Sequence, residues 1–213
     1  MNLIQLQHPL SGRRVGLVRE PFVILFDSSI VSTYQFFKEC IALQKSVSES
    51  VESVLSQERL DYGPIYESKS EWKIQPPVDC PDDPMRCMLS GTGLTHKASA
   101  TNRQKMHEQE KVQNLTDSMK MYLWGEQGGK PKPNTIGVQP EWFYKGNGLN
   151  LKGHGQPLFV PDYADDGGDE PEIAGIYVIS ENGIPHRLGF VQANEFSDQV
   201  MEKKNYLYLA PSK

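Results

Sequence analysis

A chain of 213 residues, 38% apolar and 23% charged, is long enough to bury a real core, so one main domain with a smaller N-terminal piece is expected. A net charge of −5 without a compensating basic block argues against a nucleic-acid partner, and no apolar run approaches the ~18 residues that a membrane-spanning helix needs. Cys40, Cys80 and Cys87 form no CxxC pair, and MNLIQLQHPLSGRRVG carries no charged segment ahead of an apolar one, so reduced thiols in a cytoplasmic protein are expected.

RRVGLVREPFVILF (13–26) predicts two short strands around Glu20-Pro21. Asp27 to Ser29 offer caps for a helix over 30–57, in which Phe36, Phe37, Cys40, Ile41, Val47, Val51, Val54 and Leu55 follow a loose helical spacing. DYGPIYESKSEWKIQPPVDCPDDP is a polar, proline-broken connector, and a boundary is expected inside it, near residue 75. A strand over 86–89 then turns at Gly91-Thr92-Gly93 and gives way to one or two helices reaching Trp124. VQPEWFYKGNG reads as a short extended segment ending at a turn, and the stretch before residue 169 is turn-rich. The acidic run Asp162, Asp165, Asp166 and Asp169 reads as a solvated loop, with Asp169 available as an outer partner behind a metal ligand.

The strongest local signal is Asn182-Gly183, set between EIAGIYVIS and IPHRLGFVQANEF. It predicts a hairpin with a two-residue type I′ turn, which needs positive φ at both central residues. Pairing outward from that turn places Tyr177 opposite Leu188, Glu172 opposite Ala193 and Glu170 opposite Glu195. Residues directly opposite, and those two apart on one strand, share a face, so Glu170, Glu172 and Glu195 converge. Like charges so placed repel, and a hard divalent cation such as Mg²⁺, Mn²⁺ or Ca²⁺ relieves that by taking carboxylate oxygens. Acidic residues near strand ends are also commonly just solvated, and a bulge would turn one of the three away. Spacing alone leaves both readings open. His8, His154 and His186 carry no pattern, and His96 and His107 as a lone pair are poor evidence for zinc.

Several segments in order resemble the fumarylacetoacetate hydrolase superfamily. Glu170-Pro171-Glu172 is similar to its E-x-E strand motif, and ANEFSD to its later N-D-x-S-A-R-D segment, with Glu195 at the aspartate. SGTGLTH is similar to G-x-N-Y-x-x-H with His96 at the histidine, PEWFYK to P-x-x-F-x-K with Lys145, and LYLAPSK brings Lys213 near the lysine of K-S-F-D. The likeness covers roughly residues 86–213 and is greatest to a bacterial branch of sugar-acid catabolism. Three departures stand out. Ser99 replaces a glutamate that orients the histidine in many hydrolases, Glu195 replaces an aspartate, and the family fold continues past its lysine where this chain stops.

The resemblance implies an α+β fold: a mixed β-roll of the fumarylacetoacetase C-terminal type, incomplete at its C-terminus, over 76–213, with a small N-terminal strand-and-helix unit over 1–75. It implies metal ligation by Glu170, Glu172 and Glu195, catalytic roles for His96, Lys145 and Lys213, and a homodimer. A cation held there would take a small 2-oxo acid through one carboxylate oxygen and the ketone oxygen. His96 suits acid or base duty because its ordinary pKa lies near neutrality, and the lysines would face the substrate's negative charge. With no His–Glu dyad, the expected reaction is dehydration of a 2-keto-3-deoxy sugar acid of the L-arabonate type. The alternatives are C–C hydrolysis or decarboxylation of an acylpyruvate-like acid, or a truncated, non-catalytic member of the family.

Overall fold

A computed structural model describes residues 1–91, 101, 117–138, 142–204 and 212. It is an α+β protein with two compact units, Met1–Cys87 joined by Asn147–Ser197, and Met88–Gly146 joined by Asp198–Lys213. The first unit is discontinuous. It brings the N-terminal segment, expected to end near residue 75, together with the hairpin expected much later in the chain.

The heart of the first unit is a five-stranded antiparallel sheet. Its strands are β1 (Asn2–His8), β2 (Gly12–Arg19), β3 (Phe22–Phe26), β4 (Leu55–Asp61) and β5 (Lys73–Ile74), in the order β4-β3-β2-β1-β5. Both faces of the sheet are covered, so its central strands are apolar runs and not simple alternations. Val15, Leu17 and Phe26 pack on one side with Phe36, Phe37, Cys40 and Val51, while Ile4, Leu6, Val23 and Leu25 pack on the other with Ile65. A Cβ at Gly16 would lie 2.5 Å from Val23 Cγ1, so the close β2–β3 approach requires glycine there.

The single helix expected over 30–57 is two helices and a strand: α1 (Thr33–Ala42), α2 (Val47–Val54) and β4. Ser32, not residues 27–29, caps α1, its hydroxyl accepting from Gln35 N–H at 3.1 Å. The helix stops at Gln44, whose φ of 52° puts it in the left-handed region. Lys45 N–H then reaches back to Cys40 O at 3.0 Å and Gln44 N–H to Ile41 O at 3.1 Å, the paired bonds of a Schellman ending. A short third helix, α3 (Tyr62–Tyr66), follows β4. The strand expected over 86–89 is displaced: residues Pro84–Arg86 form a 3₁₀ turn, and β6 is Met88–Gly91.

The proline-rich connector is tied down. Gln5, fully buried on β1, donates to Pro76 O at 2.6 Å and Asp79 Oδ1 at 2.9 Å, and accepts from Thr33 N–H at 2.8 Å. Arg13 grips both oxygens of Asp79, at 2.7 and 3.1 Å, a bidentate geometry that fixes the segment against the sheet.

The hairpin β8 (Pro171–Ile179) and β9 (Pro185–Asn194) joins the same core through Val178, with Leu188 packed against the cluster. The second unit contains β6 paired with β7 (Phe143–Asn147), α4 (Asp117–Gly128) and α5 (Gln199–Lys204).

Candidate metal centre

The acidic site depends on hairpin register, and the register is reached by a different route from the one expected. Ser180 N–H donates to Ile184 O at 3.0 Å and Gly183 N–H to Ser180 O at 2.9 Å, enclosing a loop of residues 181–183. Gly183 alone in that loop has positive φ, 80°, so a three-residue loop with a glycine bulge replaces the type I′ turn. This slips the first pairs by one: Tyr177 lies opposite Arg187, not Leu188. A second irregularity corrects the slip. The register shifts between Ile176 and Tyr177, Leu188 is left without a ladder partner, and Ile176 pairs with Gly189. From there Glu172 faces Ala193, as expected, and Glu195 N–H donates to Glu170 O at 2.9 Å. Two bulges thus cancel before the ladder reaches the acids.

Glu170, Glu172 and Glu195 each offer a carboxylate oxygen within 4.8 Å of the other two, and they are the one such group of potential ligands among the described residues. Glu172 is exposed, while Glu170 and Glu195 are half-buried. Two ligand oxygens on one ion lie at most twice the metal–oxygen bond apart, about 4.2 Å for Mg²⁺ and about 5 Å for Ca²⁺. Small side-chain rotations therefore bring the trio into range of either ion, and an all-oxygen anionic donor set suits a hard divalent cation.

The surroundings of Glu170 hold contacts that motif reading did not assign. The Ser197 hydroxyl lies 2.7 Å from Glu170 Oε1 and 2.8 Å from Glu195 O. Asn194 accepts from Glu170 N–H at 3.0 Å and donates to Asp169 Oδ1 at 2.7 Å. Asp169 thus partners the acidic end of the hairpin through an asparagine. The available signal was the NEFS spelling, which places an amide and a hydroxyl one and two residues either side of Glu195 and within the next rungs of the ladder.

The other expected site residues separate into two groups. Lys145 is on β7 in the second unit, half-buried, its Nζ 5.4 Å from the Phe143 ring centroid. A Cβ at Gly91 would come within 2.5 Å of Lys145 Cε, so glycine on the partner strand makes room for that side chain. His96 and Lys213 lie outside the described residues.

Three histidines have local structural partners. His8 packs 4.7 Å from Trp72 and lies 3.5 Å from Glu71, His154 stacks on Tyr66 at 4.6 Å, and His186 contacts Ser180 Oγ at 3.2 Å. All three cysteines are free, and burial pushes the thiol pKa values of Cys80 and Cys87 up, which disfavours the thiolate a nucleophile would need.

No protein-family model and no curated protein sequence matches the chain. Its structure is similar to a solved structure of a 2-keto-3-deoxyarabinonate dehydratase, with a TM-score of 0.63 at 19% sequence identity. The likeness takes in 100% of this chain and 61% of the dehydratase chain, and at that identity it speaks for a shared fold. No helix among the described residues is long and apolar enough to cross a membrane.

Proposed function

We propose that the protein is a divalent-metal-dependent hydro-lyase of the fumarylacetoacetate hydrolase superfamily, dehydrating a 2-keto-3-deoxy sugar acid of the L-arabonate type. The observation that carries this is the gathering of Glu170, Glu172 and Glu195 within 4.8 Å at one end of the hairpin. The fold likeness to a sugar-acid dehydratase supports it, as do the segments that resemble motifs of that superfamily.

Glu170, Glu172 and Glu195 would hold Mg²⁺, Mn²⁺ or Ca²⁺. When bound, the cation supplies a Lewis acid that binds a 2-oxo acid and makes the hydrogens beside its ketone more acidic. His96 is assigned the proton transfer, taking the C3 proton or delivering one to the departing hydroxyl, a role geometry permits only within hydrogen-bond reach of that atom. Lys145 and Lys213 are assigned to the substrate's negative charge. We place the protein in the cytoplasm as a homodimer; exposed Ile173, Tyr177 and Phe190 on the outer hairpin face supply apolar surface for an interface.

Purified protein incubated with Mg²⁺ and 2-keto-3-deoxy-L-arabonate tests the assignment. A 2-oxo semialdehyde formed without pyruvate is the expected product. Release of pyruvate would point instead to C–C cleavage, and metal binding without turnover would point to a non-catalytic relative.

A further inference from the structure

We propose that Ser197 is a positioning residue that fixes Glu170 as a one-oxygen ligand and so biases the acidic site toward small cations, Mg²⁺ and Mn²⁺, over Ca²⁺. The inference rests on the cation-binding assignment above and concerns which ion that site prefers.

Ser197 is 2% exposed and cannot move independently of the hairpin end. Its backbone exchanges both hydrogen bonds with Gly168: Gly168 N–H donates to Ser197 O at 2.7 Å and Ser197 N–H to Gly168 O at 2.9 Å. That bridge is the next hydrogen-bonded rung after Glu170 and Glu195. A serine hydroxyl has one proton, and among the described residues Glu170 Oε1 and Glu195 O stand within its reach. The ionised carboxylate is the nearer and stronger acceptor, so the proton belongs to Glu170.

The consequence is an asymmetric carboxylate. Oε1 is held by a neutral donor anchored in the backbone ladder, and Glu170 can turn about its last bond only by breaking that contact. A carboxylate locked in this way meets an ion through one oxygen more readily than through two. Ca²⁺ takes six to eight oxygens and often draws both from a single carboxylate, whereas Mg²⁺ works with one oxygen per ligand in a tight octahedron. Ser197 therefore suits the smaller ions. Glu172, exposed at the strand start, keeps the freedom that Glu170 has lost.

The test compares metal affinities of the full chain for wild type, Ser197→Ala, Ser197→Cys and Ser197→Thr. Mn²⁺ binding is read by electron paramagnetic resonance, and Mg²⁺ and Ca²⁺ by competition against it. Loss of a partner that orients a metal ligand lowers affinity about 10–100-fold. A loss of that size is expected for Mn²⁺ and Mg²⁺ in Ser197→Ala and Ser197→Cys, with a smaller loss for Ca²⁺, so the Mg²⁺-to-Ca²⁺ ratio falls. Ser197→Thr, which keeps the hydroxyl, should keep the wild-type ratio. Melting of each variant without metal separates a folding defect, and if Ser197→Ala does not fold, the near-isosteric Ser197→Cys decides. Equal loss for all three ions, or none, overturns the positioning role while leaving the metal site standing. A wild type that binds no Mn²⁺ overturns both.

Discussion

Glu172→Gln should make the metal-free protein more stable and the metal-loaded protein less so. Each carboxylate of the trio has oxygens within 4.8 Å of the other two. Two unit charges at that separation repel by about 1 kcal/mol in a water-like dielectric, which is the appropriate one for an exposed side chain. Neutralising Glu172 removes two such pairs, so the metal-free variant gains up to about 2 kcal/mol at low ionic strength. Physiological salt, with a Debye length of about 8 Å, reduces the gain only in part. For a protein of this size each kcal/mol moves the melting temperature by about 2–4 °C, so a rise of several degrees is expected in chelator. With Mg²⁺ in excess the order reverses. An ion present at a hundred times its dissociation constant stabilises the wild type by about 2.7 kcal/mol, and the variant, missing one anionic ligand, captures much less of that. Thermal melts of both proteins in chelator and in excess Mg²⁺ give the four values required. A metal-free variant that melts below the wild type, or an equal Mg²⁺ shift in both, would refute the reasoning.

Three further predictions concern the frame that presents the site. Gln5→Ala orphans the buried Thr33 N–H and Pro76 carbonyl, each at about 1–3 kcal/mol, so urea unfolding should show a loss of about 2–6 kcal/mol with the slope unchanged. Gln44→Gly relieves a non-glycine residue at φ 52° in the ending of α1 and should raise the urea midpoint by up to about 1 kcal/mol in stability; a lower midpoint would contradict the Schellman assignment. Glu58 is held below the ordinary glutamate value of 4.5, first by its hydrogen bond from Arg14 and then by that residue's charge. A depressed folded value contributes stability above the unfolded pKa and loses it as pH falls through the folded one. The stability difference between wild type and Glu58→Gln should therefore shrink as pH drops from neutral to below 4.5, by a modest amount because Glu58 is largely exposed.

The sequence was most legible where a local pattern had one physical solution. Apolar runs either side of Glu20-Pro21 became β2 and β3, and alternation around Asn182-Gly183 became a hairpin. The convergence of the three glutamates followed from counting outward from that turn, although the count succeeded through two offsetting irregularities. Nothing in the Asn-Gly pair distinguishes a two-residue turn from a three-residue loop, and Leu188 is apolar whether it pairs or bulges toward the core. The break between α1 and α2 was hidden because Gln44 is an unusual residue for a left-handed helix ending, which glycine normally marks. Strand β4 was hidden because its middle, Gln57 to Arg59, is exposed at the sheet edge and carries no apolar alternation. Ser197 escaped notice because its role depends on a partner 27 residues away, visible only once the ladder is drawn.

The most direct measurement is anomalous diffraction from crystals of the wild-type protein grown with Mn²⁺. A single strong peak is expected within bonding distance of carboxylate oxygens from Glu170, Glu172 and Glu195. A map in which those side chains point apart with no peak between them, or in which manganese binds only elsewhere, would contradict the assignment of this hairpin end as a metal centre.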